Sequence, residues 1–315
     1  MAEPGAGDSR AADLPRVFPG TPGGVGRKGP LLRAATYVLN LLEVGLGRVP
    51  GVKKLYARRL AGLAPREVAI PLDRPDPGLA GFRALHLSDI HAGPFLGGEA
   101  AGILLKKSGE AAPEAVFLSG DLIAQGDGDL ELLDPLLDGL SPPLGVFAVT
   151  GNHEFFHGNP DLFAERLSSR RIQVLRNRGV RLEREGGSIW ICGVDDPGEG
   201  RPDLDAALEG RREGEPAILL CHHPDFFPAA AKAGVTLQVS GHTHGGQVRV
   251  LGWTPMSHTR LGYLAGLFSQ GESFLYVSRG IGAILLPLRI GAPPELPVLT
   301  FPSGRSREGR GGGEA

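Results

Sequence analysis

The chain has 315 residues, of which 41% are hydrophobic, and this length is ample for one large domain with a sizeable core. Its formal net charge of −2 is unevenly spread, because residues 1–66 hold eleven Lys and Arg against four Asp and Glu, whereas residues 67–315 hold 22 against 31. The acidic balance of the larger part disfavours a nuclease or another nucleic-acid-binding protein, since these bind through basic tracks.

The first elements in chain order lie in the basic N-terminal region. Residues 1–30 are rich in Gly and Pro and lack the apolar run of a secretory signal, so we expect them to be disordered. Residues 31–66 are predicted to be helical, but Arg33, Asn40 and Glu43 interrupt their apolar part, and a spanning helix needs about 20 mostly apolar residues. An apolar segment followed by a basic one is typical of an anchor at an anionic membrane surface. The alternative is that the apolar and the basic helical segment both pack on the rest of the chain or on a second copy of it.

Apolar runs and helix-like segments alternate over residues 67–302, which is the pattern of a layered α/β domain. Five of the apolar runs are predicted to be buried strands, namely residues 84–88, 115–119, 146–150, 217–221 and 237–240. Helices are predicted near residues 98–109, 129–139, 160–169, 203–210 and 226–233. The tail over residues 303–315 is expected to be disordered.

The two cysteines, Cys192 and Cys221, lie inside apolar strand-like runs. We expect both to be reduced, buried and structural, so they give no sign of an oxidising compartment. This favours a cytoplasmic protein, which would lie on the inner face of the membrane if the N-terminal region is an anchor.

A short polar motif follows each of the five predicted strands. The motifs are Asp89-Ile-His91, Gly120-Asp121, Gly151-Asn152-His153-Glu154, His222-His223-Pro224 and Gly241-His242-Thr243-His244. Because α/β sheets place their chemistry on the loops at the carboxyl ends of strands, we expect these side chains to lie together. Mixed carboxylate, amide and imidazole ligands suit two adjacent divalent metals. In extended backbone, alternate side chains point to the same side, so Asp89 and His91 are expected to coordinate the same ion.

The order of these motifs resembles that of the calcineurin-like metallophosphoesterases. The fuller motifs Leu87-Ser-Asp-Ile-His-Ala-Gly93 and Ser240-Gly-His-Thr-His-Gly-Gly-Gln247 are similar to one branch of the family, which contains membrane-associated bacterial phosphoesterases, among them UDP-2,3-diacylglucosamine hydrolases. The similarity runs from about Val68 to Phe301. It implies a four-layer α/β/β/α sandwich of two mixed sheets over residues 67–302, here with an N-terminal helical extension.

The resemblance also implies a dinuclear centre of two divalent metal ions, for which Mn, Zn or Fe suits the mixed ligands. The implied ligands are Asp89, His91, Asp121 and His244 for the first ion, and Asp121, Asn152, His222 and His242 for the second, so that Asp121 bridges the two. Two ions about 3.5–4 Å apart can activate a bridging water as the nucleophile and clamp the attacking and leaving oxygens. The expected reaction is therefore hydrolysis of a phosphoester or pyrophosphate bond.

Five further residues are candidates for the site. By resemblance, His153 faces the substrate and is expected to act as the general acid. Glu154 is interpreted either as an orienting partner of His153 or a ligand, or as a polar residue at a helix start. His223 either supports the neighbouring ligand or is structural, and Gln247 either contacts substrate or caps a turn. Arg279 is interpreted either as a phosphate contact or as a surface or packing residue.

Apolar residues that follow the last motif bear on the substrate. Trp253, Tyr263, Leu264, Leu267 and Phe268, together with residues 155–156 and 285–286, are expected either to form a lip for an acyl chain or to be covered core. Joined to the basic N-terminal region and the resemblance, they favour a lipid-linked substrate such as UDP-2,3-diacylglucosamine at an anionic membrane surface.

Two other classes of function remain open. One is a soluble phosphodiesterase or phosphatase that acts on nucleotides or other small phosphoesters. Protein Ser/Thr phosphatases are disfavoured, because Val149 and Thr150 stand where those enzymes have an arginine before Gly-Asn-His. The other class is a non-catalytic interaction module, which is disfavoured because such proteins usually lose ligands and all seven implied ligands are present here.

Overall fold

The computed structural model describes residues 41–49, 51–72, 76–250, 254 and 257–302. The disorder predicted for the two termini, the first ten residues of the predicted helical region and Trp253 all lie outside the described residues. Within the described ranges, no helix is long and apolar enough to cross a bilayer.

Six strands of the described residues form the first sheet. They are β1 (Pro65–Ala69), β2 (Arg83–Leu87), β3 (Ala115–Leu118), β4 (Val146–Ala148), β5 (Ile172–Val174) and β12 (Leu296–Thr300). Their order is β1-β12-β2-β3-β4-β5; β2 to β5 are parallel, and β12 pairs antiparallel with β2 and parallel with β1. Because Pro65 of β1 pairs with Leu296, the sheet begins before residue 67, where we expected the catalytic domain to start.

The other six strands form the second sheet. They are β6 (Arg178–Arg184), β7 (Gly187–Gly193), β8 (Ala217–Leu220), β9 (Leu237–Ser240), β10 (Gly266–Gln270) and β11 (Ser273–Val277). Their order is β10-β11-β9-β8-β7-β6, with four parallel central strands and an antiparallel strand at each edge. All five strands predicted from the apolar runs are present, as β2, β3, β4, β8 and β9.

Besides the helical residues 41–47, seven α-helices lie in the described ranges. They are α1 (Val52–Ala61), α2 (Gly98–Glu110), α3 (Asp134–Gly139), α4 (Asn152–Phe156), α5 (Pro160–Ser168), α6 (Leu204–Leu208) and α7 (Phe227–Lys232). The helices predicted near 129–139 and 226–233 begin as 3-10 turns, Asp127–Leu133 and Pro224–Phe226. At α5, the Asn159 side chain accepts backbone N–H bonds from Asp161 and Leu162, which caps the first turn.

The strands are apolar on both faces because each sheet is covered on both sides. On β3, Val116 and Leu118 belong to the cluster under α2 and α5, whereas Ala115 and Phe117 belong to the cluster between the two sheets. A third cluster joins the outer face of the second sheet to α6 and α7. Burial of each large apolar side chain contributes about 1.5–3 kcal/mol. The predicted four-layer α/β/β/α sandwich is confirmed, and both cysteines are buried and unbonded.

The N-terminal extension, residues 41–47 and α1, packs on the domain with one face. Tyr56 is buried and its hydroxyl donates to the Ile281 carbonyl at 2.7 Å. Glu43 is 4% exposed and accepts a bond from Gln125 Nε2 at 3.1 Å. The opposite face exposes aliphatic side chains, namely Leu41, Leu42, Val49 and Leu55. The extension therefore contacts the domain and still presents a partly apolar outer face.

Candidate metal centre

The backbone of the ligand loops is left-handed at five residues other than glycine. Asp89, His91, Asp121, His242 and His244 have φ angles between 46° and 71°. Such conformations cost about 1–3 kcal/mol each and persist only where the surrounding structure imposes them. The expectation that Asp89 and His91 converge through extended backbone is wrong, because β2 ends at Leu87 and both residues lie in left-handed turns. The turns, and not strand alternation, aim the two side chains at one point.

Backbone hydrogen bonds between neighbouring loops impose these conformations. The N–H of Asp89 donates to the Gly120 carbonyl at 3.1 Å, and the N–H of His91 donates to the Asp121 carbonyl at 3.0 Å. Gly241 allows the last motif to approach, since a Cβ atom there would lie 2.2 Å from Asp89 Oδ2. The loops are therefore locked to one another as well as to their strands.

One group of ligand atoms is formed by Asp89, His91 and His244, all of which are buried. The Nε2 atoms of His91 and His244 are 3.1 Å apart, and His244 Nε2 is 3.6 Å from Asp89 Oδ1. These three residues are the ones implied for the first ion, apart from the bridge.

A second group is formed by Asp121, His222 and His242. His222 Nε2 lies 3.3 Å from His242 Nδ1, and His242 Nδ1 lies 2.8 Å from Asn152 Oδ1. The structure therefore brings together all four residues implied for the second ion.

Asp121 lies between the two groups. Its Oδ2 atom is 3.6 Å from His91 Nε2 and 3.2 Å from His222 Nε2, so one carboxylate oxygen faces an imidazole of each group. Its Oδ1 atom accepts the backbone N–H of His153 at 2.9 Å. In this position, one carboxylate could hold a cation of each group.

The chemistry of the donor set fits divalent cations. Burial lowers the pKa values of His91, His242 and His244 well below that of free imidazole, which favours the neutral form that binds metal. Burial opposes ionisation of Asp121, but the charges of His222 and His153 hold its pKa well below the usual range. Without cations, so many buried lone pairs facing one another would be costly. Mixed nitrogen and oxygen donors suit Mn, Zn or Fe.

Glu154 holds the loop that carries the bridging carboxylate. Its Oε2 atom accepts the N–H groups of Gly151 at 2.7 Å and Asp121 at 2.9 Å, and its Oε1 atom accepts those of Leu122 at 2.8 Å and Ile123 at 3.3 Å. Burial and the charge of Asp121 raise its pKa to about 8, against four N–H donors that favour the ionised form. Glu154 therefore orients the backbone around Asp121. This favours the orienting alternative over that of a polar residue at a helix start.

His153 is half-buried beside the first group. Its Nδ1–H donates to the Ala124 carbonyl at 3.1 Å, and its ring centroid is 4.4 Å from that of His91. One of its ring nitrogens also lies within 4.8 Å of ligand atoms of His91 and Asp121. The contact to Ala124 leaves Nε2 as the ring atom available for chemistry.

The two neighbouring histidines occupy different positions. His222 donates from Nδ1 to the Ser119 carbonyl at 2.8 Å, which turns its Nε2 lone pair toward Asp121. His223 accepts the N–H of Asp225 at 3.3 Å and packs its ring 4.3 Å from that of His242. This geometry favours His222 as the ligand and His223 as a supporting residue.

Gln247 and Arg279 make contacts within the protein. Gln247 Nε2 donates to the Ile284 carbonyl at 2.8 Å, and Gln247 Oε1 accepts the Ile284 N–H at 3.0 Å. Arg279 pairs with Glu295 through Nε at 2.9 Å and Nη2 at 2.6 Å. These contacts favour the structural alternative for both residues.

Arg289 belongs to the site but has no predicted role from the sequence. Its Nη2 donates to His244 Nδ1 at 3.0 Å, and its Nη1 donates to the carbonyls of Arg279 at 2.6 Å and His244 at 3.2 Å. Its Nε donates to the Gly282 carbonyl at 2.7 Å. The side chain thus ties the ring and the backbone of one ligand to the loop over residues 279–292. An arginine close to the end of the resembling region was the only signal for it.

We expect Arg289→Met to loosen His244 and this loop. The substitution leaves several buried carbonyls without donors, at about 1–3 kcal/mol each, and frees the His244 ring. Thermal unfolding should show a clear loss of stability, and Mn²⁺ titration should show about 10–100-fold weaker binding at one position. Arg279→Met, which removes a half-buried pair with Glu295, is the matched control and should change metal binding little. Wild-type metal affinity in Arg289→Met would contradict the assignment.

The expected apolar lip is only partly present. Tyr263 packs its ring against Phe227 and Phe268, with centroid distances of 5.8 and 5.1 Å, in the cluster under α7. These two members of the lip, Tyr263 and Phe268, are therefore partly buried against this cluster, which favours the covered alternative for them. Leu267 and Leu286 are 37% and 49% exposed.

The chain is similar to known metallophosphoesterases. The family model for calcineurin-like phosphoesterases matches residues 82–246. A Bacillus subtilis protein named as the uncharacterized metallophosphoesterase YkuE is 31% identical over 72% of this chain and 81% of its own length. A Bos taurus protein named as a transmembrane protein with metallophosphoesterase domain is 32% identical over 74% of this chain, which spans 55% of that relative. Among solved structures, a dimetal phosphatase from Danio rerio matches 72% of this chain and 99% of its own, with a TM-score of 0.44 and 13% identity. The chain belongs to the calcineurin-like phosphoesterase family and is a metallophosphoesterase.

Proposed function

We propose that the protein hydrolyses a phosphodiester or pyrophosphate bond of a lipid-linked substrate, such as UDP-2,3-diacylglucosamine, at an anionic membrane surface. The reaction rests on one observation above the others, which is that Asp121 Oδ2 faces both ligand groups. Two divalent cations held there would supply a nucleophile at neutral pH and stabilise the charge that develops on the phosphoryl oxygens.

The residues of the chain have distinct parts in this proposal. His153 protonates the leaving oxygen from Nε2, because its Nδ1 is bonded to the Ala124 carbonyl. Glu154 keeps the loop of Asp121 in place through four N–H bonds. Arg289 keeps the ring of His244 in place. The ligands then need no rearrangement during the reaction.

Exposed aliphatic side chains close to the centre support a lipid-linked substrate. Val248 and Ile290 form a β-bridge, so the segments that follow His244 and precede Ala292 lie side by side. Four side chains of these segments are between 38% and 49% exposed, namely Val250, Leu286, Leu288 and Ile290. Exposed aliphatic groups beside a polar site suit an acyl chain or the outer part of a bilayer.

The exposed side chains of the N-terminal extension support the proposal that the protein binds an anionic membrane surface. Beside its exposed leucines, the extension carries five exposed cations, namely Arg48, Lys53, Lys54, Arg58 and Arg59, while its one acid, Glu43, is buried. Each basic side chain near an anionic leaflet contributes about 1 kcal/mol to binding. Through Tyr56 and the Ile281 carbonyl, the same extension contacts the loop beside the centre.

The substrate is tested by hydrolysis of UDP-2,3-diacylglucosamine beside bis-p-nitrophenyl phosphate, using metal-stripped protein with and without added Mn²⁺. We expect turnover that requires the metal and prefers the lipid. Activity on the small diester alone would favour the second candidate, a soluble phosphodiesterase acting on nucleotides or other small phosphoesters. Bound metal with no activity on either compound would contradict both substrates.

Membrane binding is tested separately, by sedimentation with vesicles of phosphatidylglycerol and phosphatidylcholine. We expect binding that grows with the phosphatidylglycerol content. The double variant Lys53→Glu, Lys54→Glu should bind at least about 30-fold more weakly, since it removes two attractive charges and adds two repulsive ones. Arg212→Glu, an exposed charge before β8, is the control and should bind like the wild type. Equal binding of the double variant would contradict the anchor.

A further inference from the structure

Asp196 lies at the same edge of the second sheet as the ligands. It follows β7, whose last residue, Gly193, pairs with Leu220 in β8. The Val194 N–H continues this pairing by donating to the Leu220 carbonyl at 3.3 Å. Because His222 follows β8, the loop of Asp196 and the loop of His222 leave adjacent parallel strands in the same direction.

The carboxylate of Asp196 is buried and only half bonded. The residue is 1% exposed. Its Oδ1 atom accepts the N–H groups of Gly198 and Glu199, both at 2.9 Å. Its Oδ2 atom is buried and has no hydrogen-bond donor within the part of the chain that the structure describes. A buried oxygen without a partner is costly, so this one calls for a positive or hydrogen-bonding partner.

The turn made by Oδ1 does not explain the negative charge. An asparagine would accept the same two N–H bonds and would avoid a buried charge. The neighbouring Asp195 shows what a structural carboxylate looks like here, since it pairs with Arg176 Nε at 2.7 Å. Asp196 has no such pair among the described residues.

The charged groups with the largest electrostatic effect on Asp196 belong to the metal centre. Burial raises its pKa to about 6, and the largest effects of other charges come from His222, which lowers the pKa, and Asp121, which raises it. Both are residues of the second ligand group. Its loop also borders α4, since a Cβ atom at Gly200 would lie 3.0 Å from Phe155 Cζ. Asp196 therefore stands on the side of the centre that Asn152 and His222 form.

We propose that Asp196 strengthens the second cation position without being one of its ligands. Its negative charge helps to hold a divalent ion between Asp121, Asn152, His222 and His242. The inference rests on the proposed two-metal function and adds a residue to it. Asp196 is outside the compact groups of ligand atoms, so it acts as a positioning residue that strengthens cation binding from beside the ligands.

The test compares metal-stripped wild type, Asp196→Asn and the matched control Asp195→Asn by calorimetric titration with Mn²⁺ and by thermal unfolding. Asp196→Asn keeps the turn and removes the charge. We expect it to bind one of two Mn²⁺ equivalents about 10–100-fold more weakly. Without metal it should melt at or above the wild type, since an unpaired buried charge is gone. Asp195→Asn should melt lower, because Arg176 keeps Asp161 but loses its ion pair with Asp195, and should keep both affinities.

Each other outcome is decisive. Wild-type affinity for both equivalents in Asp196→Asn would overturn the inference and leave the two-metal function intact. A lower melting temperature of the metal-free variant would also overturn it, since that result marks a structural carboxylate. If the wild type itself binds fewer than two equivalents, the two-metal function fails and the role of Asp196 fails with it.

Discussion

Asp121→Ala is expected to lose metal-dependent turnover by about 10³-fold or more. The side chain faces both ligand sets, through an oxygen 3.6 Å from His91 Nε2 and 3.2 Å from His222 Nε2. Its loss therefore weakens both cation positions and the stabilisation that they give to the transition state. The fold should remain, because Glu154 still binds the backbone N–H of residue 121 and those of Leu122 and Ile123.

The measurement pairs turnover of bis-p-nitrophenyl phosphate or the lipid substrate with metal content and circular dichroism. Asp138→Ala is a suitable control, since Asp138 is an exposed partner of Arg170 and belongs to no group of ligand atoms. It should keep full activity. Wild-type turnover in Asp121→Ala would exclude the two-metal assignment, and loss of the folded spectrum would show that the residue has a structural role that we have not assigned.

The second large effect is expected for His153→Ala, in which metal content should survive while kcat falls by about 10²–10⁴-fold. The loss should depend on the leaving group. An alkoxide leaving group is strongly basic and needs a proton from His153, whereas p-nitrophenolate departs with little help. The fall in kcat should therefore be much smaller for bis-p-nitrophenyl phosphate than for a diester with an alkyl leaving group.

His157→Ala is the matched control, because the His157 ring lies 5.0 Å from that of His153 without belonging to a ligand group. We expect it to keep the leaving-group dependence of the wild type. A missing metal equivalent in His153→Ala would contradict the acid role and make the residue a ligand, which its place near His91 and Asp121 would also allow. An equal loss for both leaving groups would also contradict proton transfer by His153.

The sequence predicts the scaffold of the centre well, since that scaffold is encoded locally. An apolar run buried on both faces marks each of the five strands, and a polar motif directly after a strand must lie at its carboxyl end. Parallel neighbours then bring Asp121 beside Asp89, and His222 beside His242, with little freedom left.

The contacts that orient the ligands could not be read in this way. Arg289 reaches His244 across 45 residues, and Tyr56 reaches Ile281 across 225, so no local pattern marks either contact. The ring packing of Tyr263 likewise depends on where Phe227 of α7 lies. Left-handed φ angles at Asp and His are uncommon, so the extended interpretation of the first motif followed the usual preference and missed the turn.

The left-handed ligand positions have a consequence for how this fold can change over evolutionary time. Glycine adopts these angles without strain, so replacing one of the five residues by glycine would relieve roughly 1 kcal/mol or more of conformational energy. Selection for catalysis must therefore retain Asp or His at each position although glycine would be less strained. In a lineage without such selection, substitutions that remove the metal ligands would therefore also stabilise the fold. Glycine in place of histidine or aspartate at these turns would indicate a homologue that has lost its catalytic activity.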